Sequence, residues 1–177
     1  MKKIFFLAAS VCLFSCNNEK PAEQKEAENA TETPVALPLK MAYEGTASIG
    51  NAANTIAVMN FNSDFIAGKL DNIGTYLADS VHAVFADGNE MNVNRDTMVA
   101  IIKAWRGSMT SAQQTYISAM AVDVKEKGHE WVFQWLDETH EYKDGKKDHQ
   151  IFHEDYRLEN GKIREVYQYT QAVPAKK

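Results

Sequence analysis

Three acids set among tyrosines offer the most suggestive chemistry in this chain. Asp137, Glu154 and Glu165 recur beside Trp135, Tyr156, Tyr167 and Tyr169 in the last third of the sequence. A carboxyl buried among aromatic rings is pushed toward its neutral form, and a second carboxylate nearby pushes it further. Tuned in this way it can take a proton from a carbon next to a carbonyl, while a tyrosine hydroxyl stabilises the enolate. The expected roles are Asp137 or Glu154 as base and Tyr167 or Tyr169 as donor. The competing expectation places the acids at an open rim, or paired with tyrosine hydroxyls, Lys162 or Arg106.

These roles depend on which way the side chains point. From Thr115 to Thr170 the sequence alternates strongly and is broken at Lys127-Gly128, Asp144-Gly145 and Asn160-Gly161, pairs that favour tight hairpins. With each glycine second in a two-residue loop, Met120, Trp135, Glu154 and Tyr167 form one cross-strand row. Ser118, Asp137, Phe152 and Tyr169 form the next. Val122, Phe133, Tyr156 and Glu165 make a third, and Val124, Trp131, Leu158 and Ile163 a fourth. A pocket on this face would be lined by Met120, Phe133, Trp135, Phe152, Tyr156 and Glu165. The opposite face would carry Ala119, Ala121, Val132, Gln134, Leu136, Ile151, His153, Asp155, Arg157 and Val166. Half of these are apolar, which suggests a partner, most simply a second copy.

Helices must cover the aromatic face. Val58, Phe61 and Phe65 recur at helical spacing between Gly50 and Leu70, and a short helical turn is expected near Tyr76 and Leu77. A second helix starts at Asn94 or Asp96, both good caps, and carries a stripe of Met98, Ile101, Ile102, Trp105 and Met109. Trp105 can line the pocket from there. Val81 to Asp87 reads as a strand, with a short return strand at Met91 to Val93.

Other chemistry is less supported. His140 and His149 would face each other across a hairpin, near Asp148 and Glu138, and two such imidazoles can hold a divalent metal. The spacing matches no known ligand motif, so no metal is expected. His153 and Asp155 share a face without a nucleophile to activate. His82 is either a pocket residue entering from the first long strand or a satisfied core or rim histidine, the commoner case. Phosphate loops, dinucleotide fingerprints and hydrolase elbows are missing from the sequence, so no cofactor is expected. A net charge of -5 with no basic cluster gives no reason to expect nucleic acid.

The N-terminus reads as an address. Lys2-Lys3 precede an apolar run from Ile4 to Phe14, too short to stay in a bilayer as a spanning helix. Leu13-Phe14-Ser15-Cys16 resembles the bacterial lipobox, in which the cysteine is acylated and becomes the mature N-terminus. The expectation is a signal at 1–15, a lipidated Cys16 with a flexible tether at 16–42, and a folded domain at 43–174. The tether is rich in Glu, Lys, Ala, Asn, Thr and Pro and poor in large apolar residues. The only other cysteine, Cys12, lies within the signal, which leaves no thiol for catalysis or a disulfide. The expected location is the cell envelope, lipid-anchored on a periplasmic or surface face.

The element order, two helices, a strand, a capped helix and a long antiparallel meander, resembles the NTF2-like superfamily. Tyr156-Arg157-Leu158-Glu159-Asn160-Gly161-Lys162-Ile163 is similar to the aromatic-Arg-x-x-x-Gly-Lys-Ile hairpin of its SnoaL-like branch. The resemblance implies an α+β cone, a curved antiparallel sheet wrapped around about three helices, with an internal pocket and dimers through the outer sheet face. Members include isomerases, cyclases, dehydratases and non-catalytic proteins, so the fold does not choose among them. Tyr167-Gln168-Tyr169-Thr170 stands where many SnoaL-like sequences have an acid, and the Tyr-plus-two-Asp set of ketosteroid isomerases has no match here. Three functions stay open: binding of a small, partly apolar molecule in the cone, isomerase, cyclase or dehydratase chemistry by a pocket carboxyl, or an interaction domain of the envelope.

Overall fold

Side-chain caps fix where the two helices begin. The Asn51 carboxamide accepts from the Ala53 N–H at 2.9 Å and opens α1, Ala52–Ile66. Asn94 does the same for the Thr97 N–H at 2.8 Å and opens α2, Arg95–Gly107. A 3-10 turn, Ile73–Tyr76, follows α1. The computed structural model describes residues 47–124 and 127–173. The expected signal, Cys16 and tether lie outside the described residues.

Seven strands complete the fold: β1 Ala47–Ile49, β2 Leu77–Val84, β3 Glu90–Asn94, β4 Met109–Val124, β5 His129–Tyr142, β6 Lys147–Glu159 and β7 Lys162–Ala172. They form one sheet in the order β1-β4-β5-β6-β7-β2-β3, antiparallel except where β2 pairs with β7. β1 was not foreseen. Met109, expected to end the helical stripe, instead begins β4, where it is buried. The sheet curves and stays unclosed around α1 and α2, giving the α+β cone of the NTF2-like proteins.

Pleat parity differs from the expected one, and the turns and bulges explain why. At the β5–β6 hairpin the Tyr142 N–H reaches the Lys146 carbonyl at 2.8 Å and the Gly145 N–H reaches the Tyr142 carbonyl at 2.9 Å. The loop therefore holds residues 143–145, with Gly145 at φ 86°, a three-residue turn closed by a left-handed glycine. One extra loop residue turns β5 over relative to β6, so Glu154 stands opposite Gln134 and Trp135 opposite His153. Asn160 and Gly161, at φ 52° and 70°, do form the expected two-residue turn, and Glu159 pairs with Lys162. A bulge at Arg164 then shifts β7, pairing Glu154 with Gln168 instead of Tyr167. In β4 another bulge at Ile117 separates the Tyr116–Leu136 and Ser118–Trp135 pairs.

The inner face consequently carries Val132, Gln134, Leu136, Glu138 and His140 of β5, all buried, together with Phe152, Glu154, Tyr156 and Leu158 of β6. Val132, Gln134 and Leu136, expected outside, are completely buried. Val58 and Phe65 of α1, Met98 and Ile102 of α2, and Leu77, Val81 and Ala83 of β2 pack into the same core. Trp131, Phe133 and Trp135 lie on the other face, where Trp131 stacks on Phe133 and Trp135 on His153 with centroids 6.2 and 4.5 Å apart.

This parity has a mutational signature. Leu136→Ala removes a fully buried side chain and should cost about 2–5 kcal/mol of unfolding free energy. Trp135→Ala, on the opposite face, should cost about 1 kcal/mol or less. Urea denaturation of both variants, with the larger loss at Trp135, would reverse the assignment.

Candidate functional site

A cavity of about 510 Å³ opens between α2, the inner sheet face and the turn after β2. Its volume lies within the range of small-molecule pockets, roughly 300–1,000 Å³. Phe61 enters from α1 and Met98, Ile101, Ile102 and Trp105 from α2. Leu77, Val81, Ala83, Phe152, Tyr156 and Val166 supply the apolar sheet wall. The buried lining residues Leu77, Phe152, Glu154 and Tyr156 form the floor, and exposed Ala86, Asp87, Trp105 and Thr170 mark the mouth.

Glu154 is the polar centre of the floor. The Gln134 amide donates to its Oε2 at 2.7 Å, the Tyr156 hydroxyl to the same oxygen at 2.8 Å, and the Gln168 amide to Oε1 at 2.8 Å. The register dictates this arrangement, because Gln134 and Gln168 are its direct cross-strand partners and Tyr156 lies two residues along the same strand. Burial pushes the Glu154 carboxyl up, and the Glu138 carboxylate adds to that; the three donors lower it without cancelling the rise. Tyr156 is held well above 10 by burial and by Glu154. Behind this group Asn62 of α1 donates to the Tyr116 hydroxyl at 3.2 Å, which is why the Ile117 bulge matters: it turns Tyr116 inward. Burial carries that phenol up to about 12.

A second polar cluster sits higher on the wall. His140, 1% exposed, places Nδ1 3.1 Å from Asp148 Oδ1 and Nε2 3.1 Å from Glu138 Oε2. The Nε2 contact falls outside hydrogen-bond geometry and is an ion-pair contact with Glu138. The Gln114 amide donates to Glu138 and the Tyr142 hydroxyl to Asp148 at 3.1 Å. Trp105 meets the His140 ring edge-on at 6.0 Å. Burial alone would pull the imidazole down, but Glu138 and Asp148 outweigh it and raise its pKa above 6.5.

The structure divides the expected site residues in two. Glu154, Tyr156, Phe152 and Trp105 line the cavity together. Asp137, Tyr167, Tyr169, Met120, Phe133, Trp135 and Glu165 do not, because the loop and bulge shifts send them to the outer face. Asp137 pairs there with His149 at 2.6 Å. Glu165 takes an ion pair from Arg157 at 2.5 Å and a hydrogen bond from the Tyr167 hydroxyl at 3.2 Å. Burial alone would push that carboxyl up, but Arg157 holds it below its ordinary value. Tyr169 and Met120 are 55% and 48% exposed. His82 also faces outward, 2.9 Å from Glu90. His140 and His149 fall on opposite faces, and no group of metal-ligating side chains forms among the described residues. Gln134 and Gln168 were missed as site residues, and Glu138, His140 and Asp148 were considered only as a metal cluster near the hairpin tip. A three-residue reading of the Asp144-Gly145 turn would have moved the β5 members inward.

No protein-family model and no curated protein matches the sequence. Solved structures match in fold. An M. tuberculosis LEH-like epoxide hydrolase has a TM-score of 0.57 at 11% identity, over 68% of this chain and 84% of its own. A putative ketosteroid isomerase from Kribbella flavida reaches 0.55 at 8% identity, over 73% and 85%. An NTF2-like protein of unknown function from Burkholderia pseudomallei reaches 0.54 at 15% identity, over 67% and 91%. At these identities the likeness establishes the fold: this chain is an NTF2-like cone containing a pocket.

The His140 cluster makes a direct prediction. Proton NMR should give His140 a titration midpoint above 6.5, and Asp148→Asn should lower it. Because the folded value is raised, this pairing stabilises the fold at pH below 6.5 and the contribution disappears as pH rises through the folded midpoint. A wild-type midpoint at or below 6.5 would remove the charge pairing from the site.

Proposed function

We propose that the cone binds a small, partly apolar molecule whose polar end meets Glu154. One observation carries this reading: a cavity of about 510 Å³, apolar over most of its wall, ends on a single buried carboxyl fixed by three donors. The apolar wall supplies affinity in proportion to the area removed from water, at about 25 cal/mol per Å². The carboxyl supplies orientation. A neutral fluorescent probe such as N-phenyl-1-naphthylamine should bind saturably. Ile101→Trp, which fills the cavity from α2, should weaken that binding at least tenfold with little change in the thermal midpoint. Unsaturable binding, or wild-type affinity in the filled variant, overturns the reading.

A catalytic reading is favoured by the same carboxyl. Burial holds Glu154 above its ordinary value, 2.8 Å from the Tyr156 hydroxyl, so it takes up a proton more readily than an exposed carboxyl while the phenol orients it. Of the two expected bases Glu154 is the one lining the cavity, and Tyr156 stands beside it in place of the expected Tyr167 or Tyr169. Glu154→Gln would abolish turnover of an isomerisation or dehydration substrate if this chemistry operates, and unchanged turnover would leave binding alone.

We further propose attachment to the cell envelope through acylated Cys16, supported by the Leu13-Phe14-Ser15-Cys16 sequence, and pairing of two copies through the outer sheet face. Trp131, Phe133, Trp135 and Tyr169 on that face, with Met120 and Ile117 at 48% and 58% exposure, support the pairing. Sedimentation should give twice the chain mass for the wild type and a monomer for Trp135→Glu. A monomeric wild type contradicts the pairing.

A further inference from the structure

We propose that the molecule held in the cone is a protonated amine with an apolar body. This rests on the cavity being a ligand site and names what enters it. Among the described residues the charged groups lining the cavity are Asp87, Asp148, Glu154 and His140, with no lysine or arginine. His140 is enclosed by Asp148 and Glu138, so its charge is already taken up on both sides of the ring. Asp87, Glu154 and the second acid of the His140 cluster leave an excess of negative charge around the cavity. Asp87 sits exposed at the mouth, fixed by the Asn89 backbone and side-chain N–H groups at 2.9 and 2.7 Å, where it can draw a cation inward.

The floor is short of donors rather than acceptors. An ionised carboxylate offers about four acceptor directions, and Glu154 uses three, two on Oε2 and one on Oε1. One direction on Oε1 therefore remains. A buried acceptor left unpaired is costly, and an ammonium brings up to three N–H groups. The rings of Trp105, Tyr142, Tyr156, Phe61, Phe85 and Phe152 line the rest, and aromatic faces attract cations once water is excluded. An anionic ligand would face these acids unpaired, at high cost. A neutral alcohol could fill the same space but would leave Glu154 without a counter-charge.

Three probes of equal length separate these cases: 4-phenylbutylamine, 4-phenylbutanol and 4-phenylbutyrate, titrated calorimetrically into the full chain. The amine should bind at least tenfold more tightly than the alcohol, and the carboxylate should not bind measurably. Glu154→Gln should bring the amine-to-alcohol affinity ratio toward one, with folding checked by circular dichroism. If that variant does not fold, Asp148→Asn should lower the same ratio. Equal affinities for amine and alcohol, or tightest binding by the carboxylate, overturn the amine proposal while the ligand-site reading stands. Absence of binding by all three overturns both.

Discussion

A carboxyl enclosed in an apolar cone must be met by donors, and that requirement ties three strands together at one row. Glu154 of β6 lies between Gln134 of β5 and Gln168 of β7, and both amides point at it. A one-residue slip of β5 would put Phe133 or Trp135 in place of Gln134, and one of β7 would put Tyr167 or Tyr169 in place of Gln168, each leaving the carboxyl without one of its three donors. The cost of an unsatisfied buried carboxylate greatly exceeds the strain of a bulge. The Arg164 bulge and the three-residue loop at Asp144-Gly145 are therefore the local features that keep this row intact. The cavity, its acid lining and the outer aromatic stripe all follow from the same parity.

The element plan was largely legible in the chain. Helical spacing of Val58, Phe61 and Phe65, the Asn94 cap, and the Asn160-Gly161 turn each correspond to what the structure contains, within a few residues at the boundaries. The site was only half legible. Glu154, Tyr156, Phe152 and Trp105 reach the cavity, but their expected neighbours on β4, β5 and β7 do not. Hairpin pairs such as Asp-Gly suit both a two-residue and a three-residue loop, and the choice reverses a whole strand. Bulges leave almost no trace in a single sequence: nothing about Ile117 or Arg164 marks either as the unpaired residue. The preference for burying large rings also misled, because a face of Trp131, Phe133 and Trp135 looks like core until Gln134 is seen to meet Glu154, and His140 to meet Glu138 and Asp148, inside.

Polar groups within the cone fall into two sets. Glu138, His140, Asp148, Gln114 and Tyr142 form a linked set in which one imidazole lies between two carboxylates, and it ties the upper wall together. Glu154 is different, since its partners are neutral donors and its charge has no counter-ion at hand. Such a group is held in place yet remains energetically open to a ligand, which is the condition for a recognition or proton-transfer site rather than a structural pair. An LEH-like epoxide hydrolase and a putative ketosteroid isomerase share the fold, and a shared fold does not decide the chemistry.

Glu154 supplies the most direct measurement. Carbon-13 NMR titration of its side-chain carboxyl in the folded chain should give a midpoint above the ordinary 4.5, as burial and the Glu138 charge require. A midpoint at or below 4.5 would place the carboxyl in water or beside a cation, and the row joining β5, β6 and β7 would not be the centre of the cone.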